Sequence, residues 1–198
     1  MVSSIIYVVI LIGSVVLHEL AHAWTAYKLG DPTAWLEGRI TLNPLAHLDT
    51  IGSVVLPLLL VLTGSPFIIG WAKPVPFNPH HFSNPRWGGA LVAVMGPVTN
   101  LLIAAIAAGI VILIGPVASV VSAIMHAIIL TNIALAVFNL IPIPPLDGHH
   151  ILFAIIPDSF AHIKYQLQKY SLVLVLILVV FGWRLIEPVV LWMYQLLV

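Results

Sequence analysis

Residues 1–27 read MVSSIIYVVILIGSVVLHELAHAWTAY. The first seventeen carry no Asp, Glu, Lys, Arg or His, and then His18, Glu19 and His22 arrive within five positions. An apolar helix of about 20 residues crosses a bilayer. No basic segment precedes this run and no small-residue cleavage pattern ends it. HELAHAW instead follows directly, so the run is read as a retained transmembrane helix rather than a signal peptide.

The rest of the chain has the same solvent. Of 198 residues, 61% are hydrophobic and 7% charged, against roughly a quarter charged in soluble domains. Such a composition cannot cover a water-facing surface, so lipid bathes much of the molecule. Net charge is zero, which gives no electrostatic footprint for nucleic acid. With no cysteine, disulfides, thiolate metal sites and a cysteine nucleophile are excluded. Nine histidines and seven acids remain as metal donors.

Charge-free stretches mark the other membrane segments. They predict helices over 4–27, 52–70, 89–114 and 118–141, with one long helix or two in 163–198, divided around Gly182 to Arg184. The uncharged run Trp87 to Leu146 spans 60 residues, which fits two crossings split near Gly115-Pro116. Residues 31–50 alternate imperfectly around Glu37-Gly38-Arg39 and predict a short hairpin. Residues 73–88 hold four prolines and predict a loop whose Trp, Phe and His suit a membrane interface. The expectation is one domain, 1–198, all-α and polytopic. It has about four to six transmembrane segments, with a short membrane-associated β-hairpin or re-entrant element after the first helix.

Parity constrains the topology. If 52–70 crossed fully, Asp147 would emerge on the side opposite Lys28. If it dips in and returns, which Pro57 and Gly64-Ser65-Pro66 favour, the two share a side. Lys28, Arg39, Lys73, Arg86, Lys164 and Lys169 then also share it, and the positive-inside rule makes that side cytoplasmic. Only Arg184 is left over.

His18-Glu19-Leu20-Ala21-His22 fits H-E-x-x-H. On a helix, residues four apart share a face at about 5–6 Å between Cβ atoms, so both imidazoles can reach one zinc ion. The glutamate between them sits beside the metal, free to take a proton from water. A lone histidine in a membrane helix is ordinarily a packing residue. Three ionisable groups within five positions are another matter, because an Asp at a helix centre costs about 2.5–3.5 kcal/mol to insert. A catalytic zinc needs a third protein ligand and one open position. Asp147, His149 and His150 compete for that role, just past the proline-stiffened run Pro142-Ile143-Pro144-Pro145. Irregular backbone at membrane depth is tolerated only when buried in protein or lining water.

With these residues in view, the chain resembles the site-2 protease family of intramembrane zinc metalloproteases over nearly its whole length. The resemblance rests on HELAH at 18–22, NPLAHLD at 43–49, GWAKPVPFNP at 70–79, GPVTN at 96–100 and NLIPIPPLDG at 139–148. It implies that His18, His22 and Asp147 ligate Zn2+ and that Glu19 is the catalytic acid/base. Asn139 and Asn100 would contact substrate or intermediate. The expected form is minimal, with no PDZ or nucleotide-sensing domain and no transmembrane helix before the one bearing HELAH.

The implied reaction is hydrolysis of a transmembrane protein substrate within or near its helix, in the cell membrane and nearer the cytoplasmic face. Because a helix hides its scissile bonds, the substrate must unwind locally. An edge at 31–50 or 73–88 could hold the opened strand. Two other functions compete: a metal transporter or sensor, and a non-catalytic scaffold for membrane helices. Neither needs a glutamate between two histidines four apart. Lys164, Lys169 and Arg184 read as interfacial anchors. His80, His81, His126 and His162 read as packing or interfacial residues.

Overall fold

In lipid the side chains that need burial are the polar and small ones, and the helices of this chain are built accordingly. The computed structural model describes residues 4–55, 59, 62–63, 70–115 and 120–198. Helix α1 (Ser4–Lys28) turns Ser14, His18, His22 and Ala26 inward at every fourth position, while Ile5, Val9, Ile12 and Leu17 face outward. Its partner of matching character is a long helix starting at Pro85, with Asn84 as N-cap accepting from the Trp87 amide at 3.2 Å. This helix, Pro85–Ile114, buries Gly89, Ala90, Ala93, Gly96, Ala104, Ala107 and Ala108. Small residues in such a stripe let helix backbones approach closely within a membrane. Gly115, at φ +76°, ends it.

Between these two helices lies a short helical turn, α2 (Thr33–Leu36), so the long helix is α3; α4 is Val120–Asn139. Then come α5 (Gly148–Ile155), α6 (Ala161–Lys169) and α7 (Ser171–Leu197), the last containing one wide turn at Leu178–Gly182. Helices α1, α3, α4 and α7 are long and apolar enough to cross a membrane. The fold is an all-α polytopic membrane protein with four such helices among the described residues, the lower end of the range expected. Ile186 and Val190 of α7 close the core against Ala104, Ala107 and Ala108 of α3 and Ile129 and Ile133 of α4. The C-terminal region thus divides at Tyr170, with helix running unbroken through Gly182 to Arg184.

The hairpin expected at 31–50 does not form. Side-chain-to-backbone bonds outweigh the imperfect alternation there. The Asp31 carboxylate accepts from the Thr33 amide at 3.0 Å in the turn before α2. Asn43 accepts from the Leu45 amide at 3.1 Å, with Pro44 at the first position of a tight turn, Pro44–His47. The pairing that does exist joins more distant residues. Leu48 and Ala72 form an antiparallel bridge, Lys73 donates to the His47 carbonyl at 2.9 Å, and Trp71 donates to Gly52 at 3.2 Å.

Most of the proposed re-entrant element, 52–70, lies outside the described residues. The bridge sets the two flanks of that segment, Leu48 and Ala72, side by side, and Asp147, after α4, stands against His18 and His22 of α1.

Candidate active site

The site forms where α1, α3 and the start of α5 meet. Gly96 makes this meeting possible. A Cβ there would stand 2.5 Å from His22 Cε1 and Nε2 and 2.6 Å from His18 Cε1, so both imidazoles lie directly on the helix backbone. Each ring is fixed from behind. His22 Nδ1 lies 2.8 Å from the Val92 carbonyl, which can only accept, so that nitrogen carries the hydrogen. His18 Nδ1 lies 2.5 Å from Asn100 Oδ1 and donates likewise. Both Nε2 atoms therefore present lone pairs to the site. That assignment follows from the hydrogen-bond partners.

Asp147 completes the cluster. Its Oδ2 lies 3.0 Å from His18 Nε2 and its Oδ1 lies 3.3 Å from His22 Nε2, while the two Nε2 atoms are 3.0 Å apart. The three donor groups lie within 4.8 Å of one another. Asp147 Oδ2 is buried and accepts no hydrogen bond, although an imidazole nitrogen stands beside it. With both imidazoles neutral, lone pairs converge from three sides, an arrangement that a bound cation satisfies, and two imidazoles with one carboxylate suit zinc. His149 and His150, the rivals for the third position, stand outside this group. His149 turns its Nδ1 to the Leu146 carbonyl at 2.6 Å. His150 faces the cavity as a neutral ring, because burial and then the adjacent His149 push its pKa down to about 4.

The backbone around Asp147 is held at both ends. At Gly148 an added Cβ would fall on the Leu140 carbonyl, so only glycine fits against the turn before it. At the far end of α5, Arg86 donates to the Ala154 carbonyl and, at 3.1 Å each, to Ile155 and Ile156. A cation at a helix C-terminus is favoured by the helix dipole as well as by these bonds.

Beside the cluster lies a cavity of about 390 Å³ lined by His18, Glu19, His22, Asn139, Asp147 and the extended residues Ala72, Pro74 and Val75, among others. The Val75 amide donates to Glu19 Oε2 at 3.1 Å. That loop is in turn tied to the end of α1 by Asp31, which is wholly buried. Asp31 accepts from the Asn78 amide at 2.6 Å and from His81 Nδ1 at 2.7 Å. Burial opposes ionisation of Asp31, but bonds from Thr33, His81 and Asn78 outweigh it and hold the carboxyl below the usual aspartate range.

Asn139 lines the cavity and spends one amide hydrogen on the Leu135 carbonyl at 3.0 Å. Asn100, expected to contact substrate, has a different place. It is wholly buried behind His18 and donates to Asn132 at 2.8 Å. Reading of motifs passed over Asn132, Asp31 and Arg86. Asn132 carried a signal, since a polar residue inside an apolar crossing calls for a partner. Asp31 and Arg86 sit among loop and interfacial residues and carried none.

A polytopic helical membrane protein that sets two imidazoles, a carboxylate and a neighbouring glutamate around one cavity has the layout of a membrane metallopeptidase. Known proteins agree. Residues 109–182 match Peptidase family M50. A Bacillus subtilis protein named "Putative zinc metalloprotease YwhC" is 38% identical over 181 residues, covering 87% of this chain and 79% of that protein. Two mycobacterial proteins named "Putative zinc metalloprotease Rip2" are more distant. The one from Mycolicibacterium smegmatis is 30% identical over 158 residues, and the chain spans 57% of its length. The one from Mycobacterium tuberculosis is 29% identical over 177 residues and 67% of its length. No solved structure matches the chain. The chain belongs to peptidase family M50.

Proposed function

We infer that this protein is an intramembrane zinc metalloprotease whose metal is held by His18, His22 and Asp147 and whose general base is Glu19. The observation that carries the reading is the convergence of three lone-pair donors, each fixed from behind, beside a cavity that also contains a glutamate. When bound, zinc lowers the pKa of water from 15.7 towards about 7 and polarises a carbonyl.

The chain's own groups do the rest. One oxygen of Glu19 is anchored by the Val75 amide. The other has no bond among the described residues, and it takes the proton of the attacking water and later passes it to the leaving amine. Asn139 keeps a second amide hydrogen free of the Leu135 carbonyl, and this donates to the oxygen that gains charge during attack. Asn100 acts through His18, not on the substrate. Leu135, Phe138, Val75 and Phe77 give the cavity apolar walls that limit water around the reacting groups.

The substrate is a transmembrane segment, opened locally so that its backbone lies along residues 70–77. Pro74 and Pro76 have no amide hydrogen, so a strand added to this edge donates more than it accepts. The site faces the cytoplasmic side. His18 is ten residues, about 15 Å of helix, from Lys28, and the basic residues that share this side satisfy the positive-inside rule. The test is cleavage of a reporter transmembrane segment by purified protein in liposomes. Chelation should abolish cleavage and added zinc restore it. Cleavage that survives complete removal of zinc would refute the reading.

A further inference from the structure

Asn132 belongs to none of the sequence motifs and neither lines the cavity nor joins the donor cluster. It is nonetheless wholly buried, at the point where α4 meets α1 and α3. Its Nδ2 donates to the Ile128 carbonyl and to Ser14 Oγ, each at 2.9 Å. Its Oδ1 accepts from Asn100 Nδ2 at 2.8 Å, and Asn100 Oδ1 meets His18 Nδ1 at 2.5 Å.

The direction of this chain of bonds is not arbitrary. A primary amide can be turned over, exchanging its donor and acceptor ends, and a serine hydroxyl can donate or accept. A backbone carbonyl only accepts. The Ile128 carbonyl therefore requires Nδ2 of Asn132 on its side, which turns Oδ1 towards Asn100. Asn100 must answer with its own Nδ2, and so it offers Oδ1 to His18. The imidazole then carries its hydrogen on Nδ1 and leaves Nε2 as the lone pair facing the cation site. Were Asn100 reversed, its amide hydrogens would face Nδ1 and the hydrogen of His18 would move to Nε2, where no metal could bind. His22 needs no such relay, because its Nδ1 rests on a backbone carbonyl directly.

We propose that Asn132 is a positioning residue for His18: through one orientation of Asn100 it holds His18 in the tautomer that ligates zinc. The inference rests on the reading of His18 as a zinc ligand. Groups behind a ligand in this manner change metal affinity by about 10–100-fold when removed.

The test is a cycle of zinc affinities, measured in detergent by chelator competition, for wild type, Asn132→Leu, Asn100→Asp and the double variant. Leucine keeps the branched outline and heavy-atom count of asparagine and removes the amide. Asn132→Leu should weaken zinc binding by about 10–100-fold. In Asn100→Asp both oxygens of the new carboxylate accept, so the orientation of that side chain no longer matters. In the Asn100→Asp background Asn132 Oδ1 faces an oxygen instead of a donor, so the same change should no longer weaken zinc binding. An equal loss in both backgrounds would show a packing role and overturn the proposal, as would wild-type affinity in Asn132→Leu.

If Asn132→Leu fails to fold, Asn132→Ser enters the same cycle. Unfolding midpoints of the metal-free proteins keep folding apart from binding. A wild type that binds no zinc, or a His18→Ala variant that binds it normally, refutes the ligand assignment and this proposal with it. That result shows before any variant at 132 is compared.

Discussion

Replacing Gly96 by alanine sets the preference of a helix against the demand of the metal site. Inside α3, glycine to alanine favours the helix by about 0.5–1 kcal/mol. At the site, the new Cβ would stand 2.5 Å from His22 Cε1 and Nε2 and 2.6 Å from His18 Cε1. Carbon atoms rest about 3.5–4.0 Å apart, so each ring must retreat by about 1 Å. Neither ring is loose, since Asn100 holds one and the Val92 carbonyl the other. Zinc–ligand distances are kept within about 0.2 Å, a fifth of that displacement. Zinc affinity should fall at least about 100-fold, close to 2.8 kcal/mol, with cleavage lost alongside. The metal-free protein meets the same crowding, so the helix preference should not raise its unfolding midpoint. Chelator competition and thermal unfolding read the two effects separately. A Gly96→Ala protein that binds zinc like wild type would refute the packing of both rings on α3.

Three further perturbations act on the frame around the site. Asp147→Ala should leave the membrane fold intact and lower zinc affinity by more than about 100-fold, because it removes one of the three proposed ligands; zinc content after dialysis checks this. Arg86→Met removes a cation from the end of α5, where bonds to charged groups contribute about 1.5–3 kcal/mol. Backbone hydrogen exchange at 154–158 should quicken, and zinc affinity should fall modestly as Asp147 loosens. Asp31 supplies a pH dependence. Its folded pKa is depressed, so its stabilisation is complete above the ordinary aspartate value of about 4 and is lost as pH falls through the lower folded value. Protection of the Val75 and Asn78 amides, relative to their intrinsic exchange, should fall below about pH 4 in wild type and be low at every pH in Asp31→Asn.

The membrane class, the long apolar helices and the donor cluster were readable because each depends on local pattern. Length without charge defines a crossing, and the four-residue spacing of His18 and His22 defines a face. The third donor of the cluster was not readable from spacing, since Asp147, His149 and His150 are neighbours. The resemblance chose among them, and the structure brings only Asp147 to both imidazoles. The hairpin at 31–50 misled because alternation is weak evidence beside the turn bond of Asp31 and the cap at Asn43. What joins the site to its frame is tertiary in origin. The bridge Leu48–Ala72, the bond from Val75 to Glu19 and the bond from Asn132 to Ser14 link residues 24 to 118 positions apart. No periodicity reports such pairings.

The central claim is that Glu19 works beside the zinc and does not hold it. Glu19→Gln keeps the shape of the side chain and the bond from Val75 while removing the basic oxygen. Zinc content and cleavage of a transmembrane reporter, measured together on wild type and this variant, test the claim directly. Both proteins should bind one zinc at the His18, His22 and Asp147 cluster, and cleavage by the variant should fall about 10²–10⁴-fold. Equal cleavage by the two, with zinc present in both, would contradict the account.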